Sequence, residues 1–259
     1  MKYLYRPMGL LEITGESRLD LINRMSTNLV SLLKPGEGAA TVLTTDVGRI
    51  IDRVMLYAGE SSALMMTGED NGDNIGRYLM RFVFFNDDFR LNPLMNQFAT
   101  LFVYGEDAQS ELSELSGGTI DLSLHNWMTA EIAGIPVAIH ATDPIEGGGY
   151  MVKIPVDQKE AVEQALIAQG GEPISEAEFD ALRIEAQLPR LRHELTGEFI
   201  PLETVEKCTS LPNGVVKDLF GGFKLLQISS FLSMLHLNSH TKTKTPNLLR
   251  NVGGDMMLE

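Results

Sequence analysis

The chain has 259 residues, of which 44% are hydrophobic and 22% are charged, so its composition is that of a globular protein. Its formal net charge of −14 argues against nonspecific binding to nucleic acid or to anionic membranes, because both require a basic surface. A single cysteine excludes an internal disulfide and any zinc site built from several cysteines.

The amino-terminal stretch MKYLYRPMGLLEITG has no apolar core of signal-peptide length and no small-residue cleavage site. The most apolar late run, residues 225–237, is interrupted by polar residues and is too short to span a bilayer. One cysteine also suits a reducing compartment. We therefore expect a soluble cytoplasmic protein with neither nucleic acid nor membrane among its partners.

The N-terminal part of the chain alternates strand and helix patterns. Apolar residues at helical spacing predict helices over residues 16–26 and 72–85. Strands are predicted at residues 9–14, 39–45, 49–57, 62–67 and 89–95. This order suits an antiparallel sheet with helices packed on one side.

The strands at residues 39–45 and 49–57 flank Asp46-Val47-Gly48, a short connection that predicts a hairpin because glycine adopts positive φ at little cost. Side chains alternate along a strand, so Asp52 falls on the more apolar face, together with Val54 and Leu56. An unpaired carboxylate there would cost several kcal/mol. The side chain of Asp52 therefore has either a cationic partner or a chemical task.

A second unit follows with a similar alternation. Strands are predicted at residues 98–104, 127–132, 136–140 and 150–154, and helices at residues 107–115 and 158–169. Ser175-x-x-Glu178 is a capping-box pattern that opens a further helix through Ala186, and Pro189 stops it. The pattern of the first unit recurs loosely, without a convincing sequence repeat.

The composition changes near Thr204. Residues 205–259 carry six Lys/Arg and four Asp/Glu, a net charge of +2, whereas the first 204 residues carry −16. The chain is therefore divided into α+β units at residues 1–96 and 97–204 and a tail at residues 205–259, for which disorder is one expectation. His236 and His240 in this tail are four residues apart but lack a third ligand nearby, so no metal site is predicted.

Three segments in register carry a resemblance to a known family. Residues 9–57 contain a KPG turn and a strand of the form G-[GR]-[VI]-[IL]-D, residues 147–155 read GGGYMVKIP, and residues 181–204 read ALRIEAQLPRLRHELTGEFIPLET. Together they resemble the aminomethyltransferase folate-binding superfamily, which includes the glycine-cleavage T-protein and its YgfZ-type relatives. The run RFVFFNDDFRL at residues 81–91 is similar to the YgfZ-type branch.

The resemblance implies two ferredoxin-like antiparallel-sheet units with helices on one face and a tetrahydrofolate pocket lined by both units. Asp52 falls on the aspartate that T-proteins use in tetrahydrofolate-dependent one-carbon transfer. Tyr57 and Tyr150 pack either beside the pterin or in the core. The resemblance also places Arg183 and Glu185 among the folate-binding residues: Arg183 either pairs with the glutamate tail of folate or holds Glu185. The alternative for both residues is that they form ion pairs between the units.

Three positions depart from the family pattern. Met151 replaces the acidic residue after Gly-Tyr, and a methionine can pack against a pterin but cannot accept its N–H groups. The family pattern has a Thr-Asn-Asp (TND) turn in the first segment, and Leu29 replaces its aspartate. It has a Glu-Ala-Gly (EAG) motif in the third segment, and Gln187 replaces its glycine. These departures count against T-protein catalysis more than against folate binding.

The largest departure is at the carboxyl end. YgfZ-type proteins carry a K-G-C-Y-x-G-Q-E signature whose cysteine is central to iron–sulfur enzyme maintenance, but Cys208 lies too early and its neighbours differ. We therefore expect the C-terminal β-barrel domain of the family to be absent or truncated. A frameshift or gene break near Thr204 would explain both features, and ordinary divergence is the alternative.

The resemblance predicts a YgfZ-type protein that binds tetrahydrofolate and supports iron–sulfur client proteins. One alternative is a tetrahydrofolate-dependent aminomethyltransferase of glycine cleavage, for which Asp52 counts. The other is an inactive, truncated remnant.

Overall fold

A computed structural model describes residues 1–201, together with the short strands Val216–Lys217 and Phe223–Lys224. The strands of the main body are β1 (Lys2–Tyr5), β2 (Met8–Thr14), β3 (Gly38–Thr44), β4 (Ile50–Ala58), β5 (Ser62–Glu69), β6 (Arg90–Pro93), β7 (Phe98–Tyr104), β8 (Trp127–Ile132), β9 (Ile135–Ile145), β10 (Gly148–Pro155) and β11 (Glu172–Pro173). The helices are α1 (Arg18–Met25), α2 (Gly72–Met80), α3 (Ala108–Ser116), α4 (Lys159–Ala168) and α5 (Glu176–Glu185). The expectations for Cys208, His236, His240, the disordered tail and the third domain lie outside the described residues.

Every predicted strand and helix between residues 9 and 186 has a counterpart in the structure. Helix α2 is shorter than predicted. The amides of Arg81 and Phe82 bond back three residues, to the carbonyls of Tyr78 and Leu79, and such bonds tighten and end a helix. Strands β1 and β11 have no counterpart among the predictions, because strands of four and two residues are too short to show a period.

The strands form two sheets, which confirms the predicted α+β class. The first sheet has the order β3-β4-β5-β2-β6 and is antiparallel. The second has the order β11-β1-β7-β10-β9-β8 and is antiparallel except for the parallel pair β1–β11. Strand β1 therefore lies in the second sheet, although the rest of the N-terminal unit builds the first.

Both sheets are built by the same path through the chain. The order β2-α1-β3-β4-β5-α2-β6 is repeated as β7-α3-β8-β9-β10-α4-β11. Within the sheets, β3-β4-β5-β2 corresponds to β8-β9-β10-β7. Gly15 after β2 and Gly105 after β7 have φ of 99° and 115°, a conformation that glycine adopts readily as the chain turns towards a helix. The loose recurrence in the sequence is therefore a repeat of topology.

Three clusters of buried side chains order the layers. One joins the first sheet to α1 and α2 through residues such as Leu56 and Leu79, and another joins the second sheet to α3 and α4. The third, the central core, contains Met55 of the first sheet and Met151 of the second, so the sheets face each other. Helices α1–α4 lie outside, whereas α5 contributes Phe179 to the central core. Among residues 1–201, no helix is long and apolar enough to cross a membrane.

Candidate functional site

Asp52 lies where two neighbouring strands separate. Strands β4 and β5 pair only as far as Met55 and Met66. Beyond that point the amide of Gly68 donates a 2.9 Å hydrogen bond to Oδ2 of Asp52. A side chain thus replaces the ladder partner of a strand amide, and the gap between the strands gives the carboxylate access to the space between the sheets.

The environment of Asp52 raises the pKa of its carboxyl group towards neutral pH. The side chain is only 1% exposed, which confirms the burial predicted from strand alternation. Oδ2 also accepts a 2.8 Å bond from Nδ2 of Asn71, whereas Oδ1 has no hydrogen-bond partner within residues 1–201. Burial raises the pKa of Asp52 to about 6, although hydrogen bonds from Asn71 and Gly68 and the charge of Arg192 lower it.

Asp52 lines a cavity of about 100 Å³ between the two sheets and α5. Met55, Met66 and Phe102 form apolar walls. Residues 188–195, called here the cover segment, close one side with Leu188, Pro189, Arg190, Leu191 and Leu195. Pockets for organic ligands usually measure about 300–1,000 Å³, so in this conformation the cavity holds only a small group.

The cover segment is tied to the first sheet by Arg190. Its Nε lies 2.9 Å from Oε2 of Glu69, at the end of β5, and its Nη1 lies 2.9 Å from Oδ1 of Asp180 on α5. Glu69 also receives a 2.8 Å bond from Nε of Arg6. Burial alone would raise the pKa of Glu69, but the two arginines lower it below its ordinary value. The carboxylate that both arginines share is therefore held ionised.

Arg183 ties the same segment to α5. Its guanidinium donates to Oδ1 of Asp180 at 2.6 Å, to Oε2 of Glu194 at 2.9 Å and to the carbonyl of Leu188 at 3.1 Å. Arg183 lines the cavity, but its guanidinium already donates hydrogen bonds to these three groups. Glu185 is exposed on α5 and does not line the cavity, so Glu194 fills the ion-pair role considered for it.

Tyr57 lies in the central core rather than on the cavity wall. Its ring centroid is 4.3 Å from that of His140, which stacks on Trp127 at 5.6 Å. Met151 pairs with His140 across the β9–β10 ladder and is likewise buried in this core. Burial lowers the pKa of His140 to about 3, so the imidazole is neutral. Both ring nitrogens and the Tyr57 hydroxyl lack a hydrogen-bond partner within residues 1–201.

Tyr150 points away from the cavity. It belongs with Val152 to the core under α3 and α4, on the opposite face of β10 from Met151. Successive residues of a strand face opposite sides, so the Gly-Tyr-Met sequence cannot present both side chains to one site. The structure thus brings Asp52 and Arg183 to the cavity, sets Tyr57 and Met151 in the adjoining core, and separates Tyr150 and Glu185 from both.

Sequence analysis did not predict most of the charged side chains that line the cavity. They are Arg6, Arg53, Glu69, Asp143 and Arg190. Arg53 and Asp143 form a 2.8 Å ion pair between β4 and β9. These residues come from distant stretches of the chain, in strands and in the connections between them, so no local spacing links them. Only the packing of the two sheets brings them together.

Comparison with known proteins matches residues 5–207 to the model of the GCVT N-terminal domain. An aminomethyltransferase of Thermus thermophilus is 30% identical over 203 residues, which cover 76% of this chain and 57% of that protein. One from Bacillus subtilis is 28% identical over 203 residues, covering 76% of this chain and 56% of that protein. The chain thus spans little more than half the length of these relatives.

A solved structure shares the fold. The glycine cleavage system aminomethyltransferase T from Bartonella henselae superposes with a TM-score of 0.67 at 18% sequence identity. The superposition covers 77% of this chain and 55% of that one. The two-sheet α+β architecture expected from the sequence is therefore shared with this protein.

Proposed function

Because the chain belongs to the family of GCVT N-terminal domains, we propose that it binds a reduced folate, tetrahydrofolate, in the cavity beside Asp52. In this proposal an N–H group of the reduced pterin donates to Oδ1 of Asp52, and Met55 and Met66 contact the ring faces. The observation that carries the proposal is the free oxygen of a buried carboxylate on a cavity wall. A buried acceptor without a partner is costly, and a ligand donor would satisfy it.

The chemistry of the cavity fits a pterin, whereas its volume requires a movement. A cavity of about 100 Å³ is too small for a pteridine ring with its substituents. Leu191 is the nearest obstacle, because it packs against Gly68 beside the Asp52 carboxylate. Folate binding therefore requires the cover segment to move away from the first sheet.

The pKa of Asp52 determines what it can do for a bound folate. A carboxyl group with a pKa of about 6 is mostly ionised at neutral pH and can still accept a proton. Bound tetrahydrofolate would supply the amine nitrogens that carry a one-carbon unit. A carboxylate in a site with little water stabilises positive charge that develops on such a group.

Within the family, we propose a YgfZ-type role: folate binding in the cytoplasm in support of iron–sulfur client proteins. The run at residues 81–91 supports this branch, and so does Met151, which offers no carboxylate to a pterin. This role is tested by the activity of an iron–sulfur enzyme in cells that lack the protein, with and without an Asp52→Asn copy. Equal rescue by the variant and the wild type would show that this role does not depend on the cavity beside Asp52.

Tetrahydrofolate-dependent aminomethyl transfer is the second candidate, favoured by the names of the relatives from Thermus thermophilus and Bacillus subtilis. It predicts formation of methylene-tetrahydrofolate from an aminomethylated lipoyl carrier protein. Folate binding without this product supports the first role, and the product supports the second. If the chain does not bind folate, the remaining hypothesis is that it is an inactive, truncated remnant.

Isothermal titration of the full chain with tetrahydrofolate tests the binding site. Wild type should bind, and Asp52→Asn should bind at least tenfold more weakly, because loss of a charged acceptor costs about 1.5–3 kcal/mol. Asp46→Asn is the matched control, since Asp46 is exposed in the turn of the same hairpin. Equal affinity of both variants would refute the site.

A further inference from the structure

Asn71 occupies the N-cap position of α2 but does not cap the helix. Asparagine is favoured at this position because its side chain can accept a bond from a free helix amide. No such bond is made here. The side chain is buried, and its Nδ2 donates to Oδ2 of Asp52. The residue therefore serves the carboxylate rather than the helix.

Two further side chains of α2 extend this contact to the protein surface. Nδ2 of Asn74 donates to Oδ1 of Asn71 at 3.0 Å, and Nη2 of Arg77 donates to Oδ1 of Asn74 at 2.6 Å. Residues three apart are neighbours on one helix face, which allows such a series. All three bonds run in one direction, from the guanidinium to the carboxylate, so each donor polarises the next.

We propose that Asn71, Asn74 and Arg77 are positioning residues that orient the Asp52 carboxylate and favour its ionised form. Asn71 and the amide of Gly68 hold Oδ2, Oδ1 has no hydrogen-bond partner within residues 1–201, and Asp52 lines the cavity. The charge of an exposed arginine thus reaches a buried group through two amides. Only the consequence for a ligand, that its N–H group is directed to Oδ1, rests on the proposed function.

Other groups act on Asp52 independently of α2. Burial raises its pKa, while the charge of Arg192 in the cover segment and the backbone amide of Arg53 lower it. Glu69 and Arg190 form their own ion pair on the cavity wall. On α2 itself and at its end, Asp73 and Arg81 are exposed. Substitutions of Asn74 and Arg77 leave all these groups in place.

The test measures the pKa of Asp52 by carboxyl ¹³C NMR in the full chain without folate. Asn71→Leu should raise this pKa by about one unit or more, because it removes a hydrogen bond to the charged form. Arg77→Gln should raise it by a smaller amount. Arg81→Gln is the matched control, since it removes the same charge at the end of the same helix, outside the hydrogen-bonded series.

A double-mutant cycle separates the hydrogen-bonded series from a through-space charge effect. Asn74→Ala removes the middle link but keeps the charge of Arg77, and the exposure of Asn74 makes the substitution compatible with folding. In this background Arg77→Gln should have no further effect on the pKa of Asp52. An equal effect in both backgrounds, or an equal effect of Arg81→Gln, would overturn the proposal. Because folate is absent, either result is independent of whether the chain binds it.

Discussion

The side chain of Leu191 lies directly against Gly68, the residue whose amide holds the Asp52 carboxylate. A β-carbon at Gly68 would come within 2.6 Å of Cδ2 of Leu191 and within 3.0 Å of Oδ1 of Asp52. Only glycine leaves room for both side chains there. Leu191 is therefore the side chain of the cover segment that lies beside the carboxylate.

Replacing this leucine tests whether the cover segment controls entry. Leu191→Ala should increase the association rate of tetrahydrofolate, because it enlarges the cavity beside Asp52. It should also lower the free energy of unfolding by about 1–2 kcal/mol, less than for a fully buried leucine, since Leu191 is only partly buried. Stopped-flow binding measures the rate. Leu32→Ala, at an exposed leucine, is the control, and equal rates for both variants would contradict a gating role.

The ion pair between Arg190 and Glu69 should decide how often the cover segment opens. Glu69→Gln leaves two nearby arginines without their shared carboxylate. We therefore expect faster hydrogen exchange at residues 188–195 and a decrease of about 1–3 kcal/mol in the free energy of unfolding. Because the pKa of Glu69 is lowered on folding, this stabilisation is present above its ordinary value of 4.5 and is lost as the pH falls through the folded value.

The control for the Arg190–Glu69 ion pair is Glu60→Gln, which makes the same change at an exposed glutamate after β4. Exchange in the cover segment should be unaffected in this variant. In Glu69→Gln, hydrogen exchange could instead accelerate over the whole first sheet rather than at residues 188–195. That result would mean that Glu69 supports the fold and does not control opening of the cover segment.

Asp52 should reduce stability at neutral pH. Its pKa is about 6 in the folded chain against an ordinary value of 3.8, so the folded state binds the proton more tightly. The contribution of Asp52 to stability is therefore greatest below pH 3.8 and falls as the pH rises through 6. Asp52→Asn should raise the free energy of unfolding at pH 7 by up to about 3 kcal/mol, and by much less at pH 4. Urea unfolding at both pH values measures this difference, and a variant less stable at pH 7 would contradict it.

The sequence predicts local features of this fold well because they follow from periodicity. Alternation along residues 49–57 is sufficient to predict that Asp52 is buried. The Ser175 capping box predicts the start of α5, where the Ser175 hydroxyl accepts a 3.2 Å hydrogen bond from the amide of Glu178. Strand β1 is different: its place beside β7 depends on a partner about a hundred residues away, which no local pattern encodes.

The candidate site shows the same division. Asp52 is predictable because a charge on an apolar face conflicts with the local pattern. Arg190 and Glu69 are not, because charged residues in connections and at strand ends are common and their pairing across the molecule depends on tertiary packing. Tyr150 shows the limit of a motif: the resemblance indicates the strand, but strand geometry decides which face its side chain occupies.

Gln187 carries a backbone conformation that suits the glycine expected from the family pattern. It follows the C-terminal end of α5 with a φ of 58°, a left-handed conformation that costs a non-glycine residue about 1 kcal/mol or more. Gln187→Gly should therefore raise the free energy of unfolding by about 0.5–1 kcal/mol, after the greater entropy of glycine in the unfolded chain is subtracted. Gln169→Gly is the matched control, because Gln169 ends α4 at a φ of −83° and gains nothing from glycine. Urea unfolding should rank Gln187→Gly above wild type and Gln169→Gly below it, and the reverse order would show that the left-handed turn is not strained.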